Sequence, residues 1–491
     1  MEAVPIGATV GDSLSAGLHE EGKRCPSRLP SANDIVVVLD KQQEKEQVTK
    51  AENAVELLSS VIVKVASCQN DKTPAPPSPP STKVFDAEAA LPQRKSTFFQ
   101  ATLNCLSMLY GLGILSSPFA IAQAGWMGAI LALGIATAYA YAAYLMSICA
   151  RWNASRGGGT YQAVAQAALG YRVKGLITSL FYIEILGTLV GYCISMGDNL
   201  AYLFPHSGLS LPGLSGRNVM IFVAAMVMLP SVWVRDLSAL SFTSMWCIIS
   251  SLLLLLAVLL SATVSGIGFT HPIPFIRLRG VPVAAGLYAF SFGGTSVFPS
   301  ICVSMKDPSK FTRAVVLSFF IATASMVGLG IVGAYMFGQN TASQITLSMP
   351  IHFITTKIIL WMTVATPMFK FALQLSPITT ALETTLYERC KASRTLLYGV
   401  STLMRSAVLA GIAIFSMIFP YFEYIVAFVG SSMTIAICLL FPCGFYLRLF
   451  WNKLTIKARI MIVALILLGA IVGACGTVVS VQGLIHKRTS S

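Results

Sequence analysis

Recurring apolar runs constrain the fold of this chain more than any other feature. Each run has roughly 20 residues, enough to cross a bilayer core of about 30 Å as a helix. Only 11% of the 491 residues are charged, whereas a soluble domain averages about 25%. The sequence therefore predicts an all-α polytopic membrane protein with 11 transmembrane helices. Their expected positions are about 97–122, 127–149, 174–203, 217–234, 239–264, 282–304, 313–337, 351–376, 396–419, 421–447 and 459–483.

A polar segment precedes the first run. Residues 1–95 hold 11 Lys/Arg and 13 Asp/Glu, and the stretch DKTPAPPSPPST at 71–82 is rich in proline. Such proline density favours an extended chain. We expect residues 1–95 to be a disordered tail on the cytoplasmic side, because they contain no signal-peptide core. Residues 96–485 are expected to form the transmembrane domain.

Positive charge is shared unequally between the two sides of the membrane. An odd number of spans places the two termini on opposite sides. With the N-terminus inside, the inner segments hold 18 Lys/Arg and the outer segments hold six. Since cytoplasmic loops carry the excess of Lys and Arg, we expect a cytoplasmic N-terminus and a lumenal or extracellular C-terminus.

Glycines interrupt two of the runs at matching places. Gly111-Leu112-Gly113 lies in the middle of the first run, and Gly293-Gly294 lies in the middle of the sixth. Such a pair is typical of the binding site in transporters built from inverted repeats, because non-helical backbone in a membrane must be buried or line a cavity. We expect two five-helix repeats, at about 97–264 and 282–447, followed by one extra helix at about 459–483. The alternative is that these glycines only permit close helix packing.

The first break has groups for both ends of a zwitterion. Unwinding frees the amides of Gly111, Leu112 and Gly113, which together with the helix dipole favour a carboxylate. Carbonyls that end the preceding half-helix can accept hydrogen bonds from a substrate ammonium. Asn104, about two helical turns before the break, could contact the solute or a bound ion.

The sixth run has aromatic and hydroxyl side chains around its glycines. Phe290 and Phe292 precede Gly293-Gly294 and could shape an apolar side-chain pocket, while Thr295 follows them and could donate a hydrogen bond to the solute. The alternative is that these aromatic residues are ordinary core or lipid-facing residues.

Two charged residues lie deep within apolar runs. Glu184 is in the third run and Lys370 is in the eighth. Charge inside a membrane is costly and usually functional, so either residue could exchange a proton during transport. A structural ion pair or a side chain that reaches the membrane surface is the alternative.

Several other functions have no support in the sequence. The net charge of +14 belongs to membrane loops rather than to a nucleic-acid surface, since residues 96–491 hold 23 Lys/Arg and seven acids. The 11 cysteines form no C-x-x-C pair, so we expect small buried hydrophobes and no metal site. H-E-x-x-H and G-x-S-x-G motifs are absent, which argues against an enzyme. No cofactor is expected; a proton gradient would supply the energy.

The motifs of the membrane domain resemble the amino acid/auxin permease family. The likeness begins with N-x-x-x-x-L-x-G-x-G-I-L-S-S-P in the first run and is nearest to a branch of vacuolar amino acid transporters that also includes vesicular inhibitory amino acid transporters. Further matches are TYQAVAQAALG at 160–170, YIEI at 182–185, GDNLAYLFP at 197–205, WVRDLSALS at 233–241, VFPSICVSMKDPSKF at 297–311, QITLSMP at 344–350, KFALQLSPITTALE at 370–383 and LLFPCGFYLRLF at 439–450. The resemblance implies a LeuT-type fold with broken first and sixth helices and proton-linked movement of amino acids.

The chain also departs from these relatives. Thr295 stands where the branch often has a histidine, and the third run has Gly191 and Met196 where relatives tend to have acids. These departures concern substrate choice and the proton path rather than the fold. We expect a secondary active amino acid transporter of an acidic endomembrane such as the vacuole, with the plasma membrane as an alternative. An amino acid sensor that signals through the tail is the other function considered; the oligomeric state is left open.

Overall fold

The computed structural model describes residues 96–154, 156, 158–205, 216–233, 240–264, 268–389 and 394–490. The expected N-terminal tail, residues 1–95, lies outside the described residues. Regular structure within the described ranges is helical, apart from an isolated bridge between Ser96 and Met305.

Helices of 7 to 36 residues follow one another along the described chain. They are α1 (Phe98–Leu109), α2 (Leu112–Ala124), α3 (Trp126–Ala154), α4 (Tyr161–Leu169), α5 (Tyr171–Leu203), α6 (Gly216–Trp233), α7 (Leu240–Val264), α8 (Val281–Ser291), α9 (Phe298–Ser304), α10 (Phe311–Phe337), α11 (Ile354–Arg389), α12 (Arg394–Ile418), α13 (Phe422–Val429), α14 (Phe441–Phe450) and α15 (Ile456–Ser490). Short 3₁₀ turns and two π-helical segments complete this part of the chain.

The number of membrane spans agrees with the prediction. In the described ranges, ten helical stretches are long and apolar enough to cross a membrane, and the bent pair α1–α2 makes eleven. The largest difference in boundary is at α11, which continues to Arg389 instead of ending near residue 376. The length of an apolar run reflects the thickness of the bilayer core, but the helix itself can continue past the end of the run with polar residues such as Glu383. Helix α4 is also absent from the predicted spans, since its nine residues are too few to cross a bilayer.

Local sequence sets both ends of the first span. Thr97 and Gln100 form a capping box in which the Gln100 amide donates to the Thr97 hydroxyl at 3.3 Å and the Thr97 amide donates to the Gln100 side chain at 3.0 Å. This box satisfies backbone donors that a helix start leaves free. At the other end, Gly125 has a φ of 74°, and a Cβ there would clash with the carbonyl of Pro274. Only glycine therefore fits the turn between α2 and α3.

The helices pack in two groups. Helix α1 packs against α9 and α10, α2 packs against α8 and α10, and α3 packs against α8, α9 and α10. A second group consists of α5, α6, α11 and α12, which pack against one another. The backbone of Ser96 is bonded to Ser304 and Lys306, so the start of α1 is fastened to the end of α9. The two interrupted spans thus belong to the same group.

The tenth span contains a stretch of wide helix. Helix α13 continues into α14 through two π-helical segments, Gly430–Thr434 and Ala436–Leu440. Gly430 touches the backbone of Gly286 and Phe290 so closely that a Cβ would not fit. Since π-helical turns are rare and occur frequently at functional sites, the region between the tenth span and the sixth span is a candidate for such a site.

Candidate functional site

A cavity of about 340 Å³ lies where the two interrupted spans meet. Its wall is mostly apolar and comes from α1, α2, α5, α7, α8, α9, α11 and the π-helical segment of the tenth span. The volume falls within the range of about 300–1,000 Å³ that is usual for sites of small organic ligands. The two breaks thus meet at a cavity of a size that suits a small organic molecule.

The first break separates α1 from α2 by a bend of 52°. Tyr110 is extended at the end of α1, and Gly111 precedes the first turn of α2 without any side-chain cap. The amides at the start of α2, including those of Leu112 and Gly113, therefore lack partners within their own helix. Both residues line the cavity, so these donors and the positive end of the helix dipole are available to an anionic group.

The two glycines of the first break serve different purposes. A Cβ on Gly113 would clash with Ser291 of α8, including its Cα at 2.6 Å. A Cβ on Gly111 would make only ordinary contacts, at 3.7 Å to the Tyr192 hydroxyl and 3.8 Å to the Lys370 ammonium. Gly113 thus permits close packing, as the alternative interpretation of these glycines expected, whereas Gly111 has open space beside Tyr192 and Lys370.

Lys370 reaches from α11 to the end of α1. Its ammonium donates to the carbonyl of Ser107 at 2.8 Å and also to the carbonyl of Tyr110. These carbonyls are the acceptors that the sequence suggested for a substrate ammonium. In the structure, these carbonyls accept hydrogen bonds from the side chain of Lys370 instead. Lys370 itself lines the cavity.

The second break is straighter than the first. Helix α8 passes through a 3₁₀ segment, Gly293–Val297, into α9, and the whole length forms one span. A Cβ on Gly294 would lie 2.7 Å from the carbonyl oxygen of Met108, so this glycine lets the two breaks touch. The Cys438 thiol donates to the Gly293 carbonyl at 2.8 Å and ties the break to the tenth span.

Glu184 lies beside the second break. Its side chain is buried, and one carboxylate oxygen lies 3.6 Å from the position of a Cβ on Gly293, next to Thr434. Within the described ranges, no Lys, Arg or His lies within ion-pair distance of this carboxylate. Since Glu184 lines the cavity, a carboxylate without a cation partner faces the solute space.

The other deeply placed acids that the structure describes do have cation partners. Asp198 of α5 accepts two hydrogen bonds from Arg217, at 2.7 and 2.9 Å. Glu383 of α11 accepts from Arg405 at 2.8 Å, and both side chains are buried. These pairs lie outside the cavity wall. Glu184 therefore differs from them in both position and pairing.

The structure brings most of the predicted site residues together. The cavity wall contains nine of the eleven residues singled out from the sequence: Asn104, Gly111, Leu112, Gly113, Glu184, Phe290, Gly293, Gly294 and Lys370.

Two predicted site residues, Phe292 and Thr295, do not line the cavity. Phe292 is fully buried and stacks on Phe319 of α10 with ring centroids 5.7 Å apart. Thr295 is buried in the 3₁₀ segment beside the second break. A helix turns by about 100° per residue, so Phe290 faces the cavity while Phe292 faces the core. Ser296 takes the place at the wall that was expected for Thr295.

Some wall residues were not identified from the sequence. Tyr192, Gln374 and Thr434 all line the cavity. A hydroxyl-rich stretch, GSSMT at 430–434, interrupts the apolar tenth run and could have drawn attention to Thr434. Tyr192 and Gln374 lie in apolar runs that contain several other polar residues. Only the packing of the helices shows that these two line the cavity.

The cavity extends toward one side of the membrane. Its wall continues along Phe181, Ile301 and Pro377, which lie on the side where α1 begins. On the other side of Gly111 and Tyr192, a second pocket of about 30 Å³ is too small for an amino acid.

Hydrogen bonds join two parts of the chain on the side of the cavity away from Phe181 and Pro377. Gln344 accepts from Ser195 at 2.5 Å and from Asn199 at 2.9 Å, and Thr346 donates to Asn199 at 2.7 Å. The end of α5 is therefore bonded to the segment that precedes α11.

Comparisons with known proteins agree with this geometry. The profile of a family described as "Transmembrane amino acid transporter protein" matches residues 94–486. "Amino acid transporter AVT1H" of Arabidopsis thaliana is 37% identical over 392 residues, which are 80% of this chain and 91% of that protein. "Vesicular inhibitory amino acid transporter" of Mus musculus is 25% identical over 419 residues, or 81% and 78% of the two chains.

A solved structure shares the fold. The "Crystal structure of MhsT in complex with L-phenylalanine" superposes with a TM-score of 0.51 at 13% identity and covers 79% of this chain and 99% of that chain. Together with the eleven spans, this likeness confirms the predicted LeuT-type arrangement of two five-helix repeats plus one extra helix.

Proposed function

The chain belongs to the family of transmembrane amino acid transporter proteins, in its vacuolar and vesicular branch, and we propose that it moves amino acids across an endomembrane by alternating access, driven by protons. The observation that carries this proposal is the cavity at the two breaks, with the ammonium of Lys370 at one break and the carboxylate of Glu184 at the other. The named relatives are transporters, which gives the sensor alternative no support.

A zwitterionic amino acid suits the polar groups of the cavity. Its carboxylate would accept hydrogen bonds from the first amides of α2, at Leu112 and Gly113, where the helix dipole favours negative charge. Its ammonium would face the end of α8, where backbone carbonyls lose their helical partners. Phe290 and the other apolar wall residues would contact the side chain of the substrate.

Alternating access would move the two helix groups against each other. Helices α1, α2, α3, α8, α9 and α10 would form the moving group, and α5, α6, α11 and α12 would form the frame. Both breaks belong to the moving group, while Glu184 and Lys370 belong to the frame. Movement of the second break relative to Glu184 would therefore change the surroundings of this carboxyl.

Glu184 is the proposed proton carrier. An ionised carboxylate without a cation partner is costly inside a membrane, and binding a proton removes that charge. Protonation would thus favour a state in which the carboxyl is enclosed, and release would favour a state in which it is hydrated. A difference in proton concentration across the membrane would then bias the direction of substrate movement.

The proposal is tested with the purified full-length chain in liposomes. Neutral amino acids should accumulate when a pH gradient is imposed, and a protonophore that collapses the gradient should abolish accumulation while leaving exchange intact. Accumulation that survives the protonophore would exclude proton coupling. Absence of any amino acid flux, with folded protein in the liposomes, would exclude the transport function itself.

A further inference from the structure

The end of α1 is a binding site for a positive charge. Carbonyls in the last turn of a helix lack helical partners and carry the negative end of the dipole. In transporters with broken helices, such carbonyls hold the coupling cation. In this chain the carbonyls of Ser107 and Tyr110 are at that position, and the Lys370 ammonium binds both.

The surroundings of Lys370 are neutral. The Tyr192 hydroxyl and the Cys247 thiol face its ammonium, and the described residues place no carboxylate within ion-pair distance of it. The side chain is only 8% exposed. Backbone carbonyls and the helix dipole, rather than an acidic partner, therefore compensate the charge of Lys370.

We infer that Lys370 is a tethered monovalent cation, which occupies the site at the end of α1 and so makes a free metal cation unnecessary for transport. The inference rests on the proposed transport function and assigns different roles to Lys370 and Glu184. Lys370 keeps its charge and holds the first break in shape, whereas Glu184 exchanges a proton at the second break. A lysine is suited to this role because it presents a compact point charge on a flexible stem.

Removal of the ammonium should expose the cation site. Lys370 lines the cavity together with Ser107 and Gly111, so a truncated side chain leaves a path from the cavity to the freed carbonyls. Lys370→Ala should therefore bind a small cation that the wild type does not bind. Lys370→Met fills the same space with an apolar chain and should bind none.

The experiment compares sodium with choline at constant ionic strength in two assays, amino acid uptake and melting temperature without substrate. The wild type should show no preference for sodium in either assay. Lys370→Ala should lose most uptake in choline and regain about fivefold or more in sodium or methylammonium, a typical coupling between two ligands. Its melting temperature should rise with the same cations. Lys357→Ala, which removes an exposed lysine from the same helix, is the matched control and should behave as the wild type.

The outcomes separate this inference from the proposed function. A wild type that requires sodium would overturn the inference, and that result does not depend on whether any variant folds. A folded Lys370→Ala variant whose uptake and melting temperature ignore all cations would also overturn it. Should the wild type move no amino acid, the proposed function fails, while the melting temperatures still decide whether Lys370 fills a cation site.

Discussion

The two helix breaks are built differently although they occupy matching places in the two repeats. The first bends by 52° and has its free carbonyls bound by the Lys370 ammonium. The second continues through a 3₁₀ segment within one span and lies beside Glu184, which has no cation partner among the described residues. The Lys370 ammonium thus holds the first break, whereas the second break lies beside the carboxyl of Glu184.

This difference suggests separate tasks. In the proposed mechanism, the first break, whose carbonyls are already satisfied, would keep its shape and present amides to a substrate carboxylate without reorganisation. The second break, which lies beside the uncompensated carboxyl of Glu184, would respond to protonation. The similar glycines of the two breaks conceal this distinction, which depends on helices distant in sequence.

The largest expected effect on stability is at the contact between the two breaks. Gly113→Ala places a methyl group against the backbone of Ser291, and overpacking of this kind costs about 1–3 kcal/mol. We expect a lower melting temperature in detergent. Gly111→Ala is the matched control, because its methyl group meets nothing closer than 3.7 Å; it should fold normally but reduce transport by narrowing the cavity.

Equal stability of these two alanine variants would contradict the distinction between a packing glycine and a cavity glycine. Normal transport by Gly111→Ala would show that the space between Tyr192 and Lys370 is not used by the substrate.

The second break offers a smaller, specific test through a double-mutant cycle. A Cβ on Gly293 would lie 2.5 Å from the methyl carbon of Thr434, so Gly293→Ala should lower the melting temperature. Thr434→Ser deletes that methyl group and should relieve the clash, with an interaction energy of about 0.5–3 kcal/mol for residues in contact. Additive effects of the two substitutions would mean that the break and the π-helical segment are not packed as the structure shows.

The smallest expected effect is at the thiol that ties the second break to the tenth span. Cys438→Ala removes the hydrogen bond to the Gly293 carbonyl, and a typical hydrogen bond contributes about 0.5–1.5 kcal/mol. Because a thiol is a weak donor, the loss should lie at the lower end. Cys438→Ser keeps a donor and should retain more stability than Cys438→Ala when both variants are melted side by side.

Most of the fold could be predicted from the sequence because its cause is local. An apolar run of membrane length indicates a span wherever it occurs, and Gly111 and Gly113 indicate the first break by their position in such a run. Helix α4 and the end of α11 were not predicted, since hydropathy reports contact with lipid rather than helical structure.

The site could be predicted only in part because its details depend on pairs of distant residues. The sequence singled out Lys370 but could not indicate that its ammonium binds the carbonyls of Ser107 and Tyr110. Phe292 was placed in the site with Phe290, although the turn of the helix directs it into the core. Thr434 reaches the second break from a π-helical segment, which shifts side chains from their usual helical positions.

The most direct measurement of proton coupling at Glu184 compares accumulation and exchange in the same proteoliposomes for the wild type, Glu184→Gln and Glu423→Gln. Glu423 is a buried acid paired with Lys487 at 2.5 Å and serves as the matched control. We expect Glu184→Gln to lose amino acid accumulation driven by a pH gradient and to retain exchange of labelled for unlabelled amino acid, while Glu423→Gln retains both. Accumulation by Glu184→Gln at the wild-type level would contradict the assignment of the coupling proton to Glu184.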